Sequence, residues 1–169
     1  MGGIILNIPK GKWDRRFDYS FNKRAFFIIT TDNFIIQITG GSLTIIDKKT
    51  NKKLNQIKGY NYLYTGDVNP NEKELFALEN GKHFYIVSLE DFTQKMKVTL
   101  PRSYESIDVY GSYSKDGKFL YVPVYKYIEE QYKYWLCEYE TKSYSLISMK
   151  EINKSEVPKW LYKYISLIK

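Results

Sequence analysis

Residues 112–123 read Ser-Tyr-Ser-Lys-Asp-Gly-Lys-Phe-Leu-Tyr-Val-Pro. The polar centre of this stretch, Ser114–Gly117, separates a short strand-forming segment from a longer apolar one. Asp and Gly favour tight turns because they tolerate or supply the positive φ angles that such turns require. The stretch therefore predicts a β-hairpin.

Two further segments of the chain, residues 18–29 and 67–78, align with this stretch without gaps. Their turns are predicted at residues 20–23 and 69–72. Each hairpin is followed by an alternating strand, a polar turn and a fourth short strand. The predicted third strands are residues 43–47, 84–88 and 134–138, and the predicted fourth strands are residues 53–57, 95–100 and 144–149. The chain therefore reads as three units of four antiparallel strands.

The connection between the second and third strands differs from unit to unit. It is tight at Asn80-Gly81 in the second unit, whereas the third unit contains a predicted loop around residues 128–131. Residues 31–41 of the first unit are long enough for a bulged strand extension, and the sequence does not assign them.

The repeated units resemble the blades of WD40-like and related bacterial β-propellers, whose blades carry a similar strand, a Ser-Pro-Asp-Gly-Lys-like turn and an apolar strand. The match is closest at residues 114–120, and no Gly-His or Trp-Asp signature dipeptide is present. The resemblance implies an all-β, propeller-like stack of three four-stranded antiparallel blades at residues 17–57, 62–100 and 108–149 within a single domain. An ordinary antiparallel sandwich or barrel with accidental self-similarity is the alternative.

Three blades do not close a ring, since propellers typically have about 4–8. Residues 4–9 resemble residues 96–101, a fourth strand that ends in Pro, so residues 1–11 are predicted to form an orphan outer strand. Unpaired strand edges seek partners. Self-association, for instance of two chains into a six-bladed ring, is one solution; an open stack and a piece of a larger propeller are the others.

The C-terminal residues 155–169 change to a helical period. Six apolar residues recur at offsets of three and four and would form one face of an amphipathic helix, with Lys on the other. They are Val157, Trp160, Leu161, Tyr164, Ile165 and Ile168. We expect this face to dock on an open sheet edge or end blade; the alternative is a basic helix for a membrane surface or a partner groove.

The 169 residues carry a formal net charge of +7, which permits binding to nucleic acid, an anionic membrane or an acidic protein. However, 22 of the 26 basic residues are Lys, and Arg is the residue suited to bidentate recognition of phosphate. A low-GC genome would also produce a chain rich in Lys, Ile, Tyr and Asn. A single Cys and the lack of a signal or a long apolar run predict a cytoplasmic protein without a transmembrane segment.

The sequence holds few residues for catalysis or metal binding. One His and one Cys cannot form a zinc site, and Cys137 lies in an alternating strand, where a buried structural thiol is expected. No metal, cofactor or catalytic residue is predicted. The alternative is a hydrolase in which Asp18 and Asp67 lie near a propeller axis, although equivalent Asp residues in repeats usually stabilise turns.

The segments that join the units have the composition of a binding surface. In a propeller these connections emerge on one face, where the family resemblance implies partner binding. They contain Trp13, Arg15, Arg16, Tyr60, Tyr62, Tyr64, Arg102 and Tyr104, and Tyr, Trp and Arg dominate interface hot spots. Many of the 17 Tyr must also pack between blades.

A second aromatic cluster, residues 125–127 with 132–135, interleaves Tyr and Lys. It would suit single-stranded nucleic acid, or it is a hairpin with Tyr on one face and Lys on the other. The sequence thus predicts a non-enzymatic, self-associating protein-interaction module. The runner-up is a polyanion-binding protein for single-stranded nucleic acid or anionic membrane.

Overall fold

The computed structural model describes residues 27–79, 81–106 and 111–153, which form thirteen strands and no helix. The first sheet contains β1 (Phe27–Thr30), β2 (Phe34–Ile38), β3 (Ser42–Asp47) and β4 (Lys53–Lys58). The second contains β5 (Leu63–Val68), β6 (Glu74–Glu79), β7 (His83–Ser88) and β8 (Gln94–Thr99). The third contains β9 (Glu105–Ser106), β10 (Ser112–Tyr113), β11 (Phe119–Ile128), β12 (Gln131–Glu140) and β13 (Leu146–Ile152).

Each sheet is an antiparallel meander whose strands pair in chain order. In the third sheet β9 and β10 both pair with β11, so both lie at its inner edge. β5 lies beside both β1 and β10. The inner strands of the three sheets therefore follow one another along a common edge, as blades do around a propeller axis.

The three sheets repeat the same backbone hydrogen bonds at their turns. In the first turn of each sheet, the residue after the inner strand donates its N–H to the carbonyl of the residue that opens the next strand. These bonds are Thr31 to Phe34 (2.9 Å), Asn69 to Glu74 (2.9 Å) and Ser114 to Phe119 (2.8 Å). The last turn repeats in the same way, with bonds from Asp47 to Lys52, Ser88 to Thr93 and Glu140 to Ser145. The three sheets therefore share equivalent backbone hydrogen bonds at two of their turns.

The predicted register of the first unit is wrong. The alignment assigned residues 25–29 to a second strand, whereas Phe27–Thr30 is the inner strand β1. The second strand is β2, Phe34–Ile38, within the segment that the sequence left unassigned. The turn at residues 20–23 and the start of the predicted first blade at residue 17 lie outside the described residues.

The predicted loop around residues 128–131 is also wrong, because this segment is the tip of a long hairpin. β11 and β12 pair along their whole length, from Phe119 with Glu140 to Ile128 with Gln131. Glu129 and Glu130 both have positive φ angles, 50° and 61°. Two consecutive positive φ angles are the pattern of a type I′ turn, whose twist matches that of the strands it joins.

The second sheet packs on both of its faces. Successive residues of a strand point to opposite faces, so the sheet contributes alternate residues to two separate cores. Leu75, Ala77, Tyr85 and Val87 pack with Ile36, Ile38, Leu43 and Ile45 of the first sheet. Phe76, Leu78, Phe84 and Ile86 pack with Leu120, Val122, Cys137 and Tyr139 of the third. This confirms the predicted stack of antiparallel blades.

Buried polar contacts join the second and third sheets. Asp67 Oδ2 accepts hydrogen bonds from Ser112 Oγ (2.7 Å) and from the Tyr113 N–H (2.9 Å). The Tyr144 hydroxyl donates to Glu74 Oε2 (2.7 Å) and lies 2.8 Å from the Tyr113 hydroxyl. Buried polar groups need such partners, and these partners come from the neighbouring sheet, so the contacts fix the relative position of the two sheets.

The predicted outer strand at residues 1–11 and the predicted helix at residues 155–169, with its docking face, lie outside the described residues. Within the described ranges, no helix has the length and apolar character needed to cross a bilayer.

Candidate interaction surface

The connections between sheets pack against the middle turns of the preceding sheets. The Leu63 N–H donates to the carbonyl of Gly40 (2.9 Å), and the Leu100 N–H donates to the carbonyl of Lys82 (2.9 Å). The Ser106 N–H similarly bonds to the carbonyl of Gly81 (3.2 Å). The two described connections, residues 59–62 and 100–104, therefore lie at the same end of the stack as the tip of the β11–β12 hairpin. We call this end the connection end.

Tyr60 is a packing residue of the connection end. Its side chain is only 8% exposed and meets the Tyr85 ring edge-on, with 4.8 Å between ring centroids. Burial, with a smaller effect of Tyr85, raises the pKa of Tyr60 to about 12. The sequence placed Tyr60 on a binding surface, whereas the structure places it in the core between the first and second sheets.

Tyr62 and Tyr64 lie on the outside of the same connection. Tyr62 is 46% exposed and has a positive φ of 67°. Its ring lies 4.8 Å from that of Tyr64, which is half-buried. These two residues form an aromatic pair near the first inter-sheet boundary.

Arg102 and Tyr104 lie at the next connection. Arg102 is exposed, and Tyr104 is half-buried. The Tyr104 ring meets Trp135 edge-on at 4.9 Å, and Lys126 Nζ lies 5.3 Å from the Tyr104 ring centroid. Tyr104 therefore packs the connection against the base of the hairpin. Trp13, Arg15 and Arg16 lie outside the described residues.

The β11–β12 hairpin carries the most exposed aromatic residues of the described chain. Tyr127 and Tyr132 are each 59% exposed. The register pairs Tyr127 with Tyr132 and Tyr125 with Tyr134, so these four side chains share one face, which we call the Tyr face. Tyr132 lies 4.9 Å from Tyr127 and 5.6 Å from Tyr125.

Lys126 and Lys133 pair with each other on the opposite face of the hairpin. The strict alternation of Tyr and Lys thus confirms the hairpin interpretation of this cluster. Lys133 Nζ also lies 3.6 Å from Glu129 Oε2 in the turn. The side chains of the Tyr face and those of Lys126 and Lys133 therefore leave the hairpin from opposite faces.

Two residues that the sequence analysis considered for chemistry, Asp67 and Cys137, are buried in the structure. The Asp67 carboxylate accepts from Ser112, from Tyr113 and also from the Val68 N–H (3.0 Å). Cys137 is fully buried, and burial raises the pKa of its thiol to about 12. The described residues contain no group of three or more His, Cys, Asp or Glu that could hold a metal ion. Asp18 lies outside the described residues.

An open polar cleft of about 270 Å³ lies at the opposite end of the stack, between the second and third sheets. Lys73, Glu74, Ser88, Glu90 and Lys142 contribute to its walls. Lys73 and Glu90 form an ion pair at 3.2 Å, and Glu74 accepts from Tyr144. Its charged groups are thus partly engaged with one another.

No protein-family model matches the sequence, and no curated protein matches it. Solved structures match the fold at low sequence identity. The WD40 repeats of RRP9 give a TM-score of 0.60 at 12% identity, covering 78% of this chain and 39% of that one. U3-55K gives a TM-score of 0.60 at 11% identity, covering 78% of this chain and 40% of that one.

Hydrazine synthase of Kuenenia stuttgartiensis gives a TM-score of 0.53 at 10% identity, covering 85% of this chain and 53% of that one. The chain therefore spans about half, or less, of the length of the structures it matches. At these identities the similarity concerns the fold, and the fold it supports is a β-propeller.

Proposed function

We propose that this chain is a non-enzymatic, propeller-like module that binds a protein partner at its connection end. The observation that carries the proposal is the Tyr face of the hairpin, where Tyr127 and Tyr132 are largely exposed and belong to neither core. Exposed Tyr residues are enriched in interface hot spots. The WD40 repeats among the structural matches support the same class of function.

Protein binding fits the charge of the sheets better than polyanion binding does. The described residues contain 16 Lys and Arg against 15 Asp and Glu, a net charge of +1, so most of the overall +7 belongs to other parts of the chain. Stacking platforms for single strands need cations that follow the backbone. On the hairpin, Lys126 and Lys133 lie on the face opposite the Tyr rings.

The two functions can be separated by binding to oligothymidylate and to anionic vesicles at low salt, where phosphate-driven binding is strongest. We expect no retention on either. Binding that weakens steeply with added salt would support the polyanion function instead.

We also propose that the chain associates with itself to complete its fold. Three blades are fewer than the smallest closed propellers contain, and each blade buries its faces only against neighbours. Size-exclusion chromatography with light scattering over the micromolar range should give a dimer mass. A monomer mass at every concentration would contradict self-association.

A further inference from the structure

The first sheet lies at one end of the stack, and the face that it turns away from the second sheet is largely apolar. Ile29, Ile36 and Ile45 on its other face pack in the core shared with the second sheet. Successive residues of a strand point to opposite faces, so their neighbours point away from that core. The register groups five of these neighbours on what we call the outer face: Ile28, Ile35, Gln37, Thr44 and Ile46.

The residues of the outer face are buried although they belong to neither core that the described sheets share. Ile28, Ile35 and Ile46 are only 2%, 3% and 1% exposed, and Gln37 and Thr44 are buried as well. The second sheet packs against the opposite face of the first sheet, and the third sheet packs against the second. The burial of the outer face is therefore not explained by the three sheets.

The third sheet shows what an end face of the stack looks like when less covers it. On its side away from the second sheet, Tyr134 and Leu136 are half-buried, and Lys150, which pairs with Leu136, is exposed. Both sheets end the stack of described strands, yet their end faces differ in exposure. A position at the end of the stack therefore does not bury a face, and the outer face of the first sheet needs a cover.

Gln37 gives a second indication of a cover. Its Nε2 is buried and has no hydrogen-bond acceptor among the described residues. Buried polar side chains normally have a partner. A segment of chain laid over the outer face would bring backbone carbonyl oxygens, which are acceptors, towards this amide.

The position of the remaining chain selects the covering segment. The burial arises within a single chain, so a second copy does not account for it. Residues 1–26 lead directly into β1 of the first sheet, whereas residues 154–169 follow β13 of the third sheet, beyond the second. Residues 80 and 107–110 lie between strands of the second and third sheets. We propose that residues 1–26 fold back over the outer face of the first sheet and cover it.

This cover has a consequence for assembly. In a stack of blades, each sheet face that lacks a neighbour is where a further blade would pack. With residues 1–26 in place, the outer face of the first sheet is closed to a second copy of the chain. The N-terminal segment thus restricts association to other surfaces until it is displaced, and this inference does not depend on the partner bound at the connection end.

Thiol reactivity in the full-length chain tests the cover. Thr44→Cys places a small thiol on the outer face, and Leu54→Cys, at a 42% exposed position of β4, is the exposed control. We expect Ellman's reagent to modify Thr44→Cys at least about tenfold more slowly than Leu54→Cys, since buried thiols are inert. The native Cys137 is fully buried, so its slow reaction in each variant would establish that the fold is intact.

Paired substitutions in the two tails identify the covering segment. Leu6→Asp together with Phe21→Asp should speed the modification of Thr44→Cys at least about tenfold, because a carboxylate resists burial. Leu161→Asp together with Ile165→Asp, the matched pair in the C-terminal tail, should leave the rate unchanged. The rate should also be the same at about 1 and about 100 µM protein, because a cover within the chain does not depend on mass action.

Each contrary result would overturn the proposal. Equal rates for Thr44→Cys and Leu54→Cys would show that the outer face is uncovered. Protection that survives the N-terminal pair, or that only the C-terminal pair removes, would exclude residues 1–26 as the cover. Protection that grows with protein concentration would assign the outer face to a second copy.

Light scattering on the same variants separates this inference from the proposed self-association. A dimer that appears or strengthens when the N-terminal pair exposes Thr44→Cys would support both the cover and its effect on assembly. A monomer mass in the wild type and in the exposed variant would contradict self-association, whereas the change in thiol reactivity would still establish the cover.

Discussion

Gly111, just before β10 of the third sheet, lies against the Phe76 ring of the second sheet, and its lack of a Cβ allows this approach. A Cβ atom at position 111 would lie 2.5 Å from Phe76 Cε1. The Phe76 ring is fully buried and also contacts Phe84, with 5.4 Å between centroids, so it has little room to move. Gly111→Ala should therefore lower the free energy of unfolding by about 1–3 kcal/mol, as overpacking of a core does.

Urea unfolding followed by intrinsic fluorescence would measure this effect. Gly41→Ala is the matched control, because a Cβ there would have Tyr60 O as its nearest neighbour at 3.7 Å, an ordinary contact. A Gly111→Ala midpoint equal to that of the control would contradict the close approach of the two sheets.

Tyr144 is the second residue on which the contact between the second and third sheets depends. Its hydroxyl connects Glu74 of the second sheet with Tyr113 of the third. Tyr144→Phe would leave the buried Tyr113 hydroxyl without this partner, so we expect a loss of about 1–2 kcal/mol. Tyr127→Phe, on the exposed hairpin, should change stability by less than about 0.5 kcal/mol. Equal urea midpoints for the two variants would show that the hydroxyl bridge contributes nothing to stability.

The tyrosines also show which part of the candidate site could be predicted from sequence. The alternation in residues 125–134 gives the Tyr and Lys faces of the hairpin correctly, because register alone determines them. Tyr60 could not be separated from Tyr62 in the same way. Both lie in an irregular connection, and the burial of Tyr60 depends on Tyr85, which belongs to a different strand and lies far along the chain.

At the scale of elements, turn chemistry identified the first turns of the second and third sheets and the polar turn before the last strand of every sheet, and it misplaced the first turn of the first sheet. The Asn69–Glu72 and Ser114–Gly117 turns lie where they were predicted. The first sheet turns at Thr31–Phe34, where neither Gly nor Pro occurs and the side chain of Thr31 instead accepts a hydrogen bond from the Phe34 N–H (3.0 Å). With apolar residues on both sides of this short turn, the pattern alone could not separate β1 from β2.

The turn of the long hairpin was missed because its two residues are unusual for their conformation. Asn and Gly are the residues that favour a type I′ turn, and here Glu129 and Glu130 adopt it. Replacing them together with Asn-Gly should raise the free energy of unfolding by about 0.5–1 kcal/mol, because Asn and Gly adopt positive φ with less strain. Thermal unfolding would measure the gain.

The double substitution of Glu129 and Glu130 by Gln is the control for this turn, since it removes the charges and keeps long side chains. If the Gln pair is as stabilising as Asn-Gly, the cause is charge, and the turn geometry is not the source of strain.

At the scale of the whole molecule, the stack could be predicted because the second unit is apolar on both faces. Leu75 through Leu78 alternate between the first and third sheets, and no exposed face remains for them. The polar contacts between sheets could not be predicted from the sequence. In one of them, the Glu72 carboxylate accepts a hydrogen bond from the Asp32 N–H (2.8 Å). Their partners are 40 residues apart in the chain, and only the folded geometry brings them together.

The many tyrosines buried between the sheets make the whole molecule sensitive to alkaline pH. Burial raises the pKa of Tyr60 from 10.0 to about 12, and it raises the pKa values of Tyr113, Tyr139 and Tyr144 as well. In the unfolded chain these groups ionise near their ordinary values, so above about pH 10 the unfolded state binds fewer protons than the folded state. The stability that depends on them is therefore complete below pH 10 and is lost as the pH rises towards 12.

Urea midpoints measured from neutral pH upward should stay level and then fall from about pH 10. Tyr60→Phe removes one of the responsible groups and should reduce the alkaline loss by about 1–2 kcal/mol, allowing for solvent screening. Tyr62→Phe, two residues along the same connection but exposed, is the matched variant that loses a hydroxyl outside the core. If the Tyr60→Phe and wild-type curves coincide throughout the alkaline range, the Tyr60 hydroxyl does not stay protonated in the folded state. The burial of Tyr60 between the first and second sheets would then be wrong.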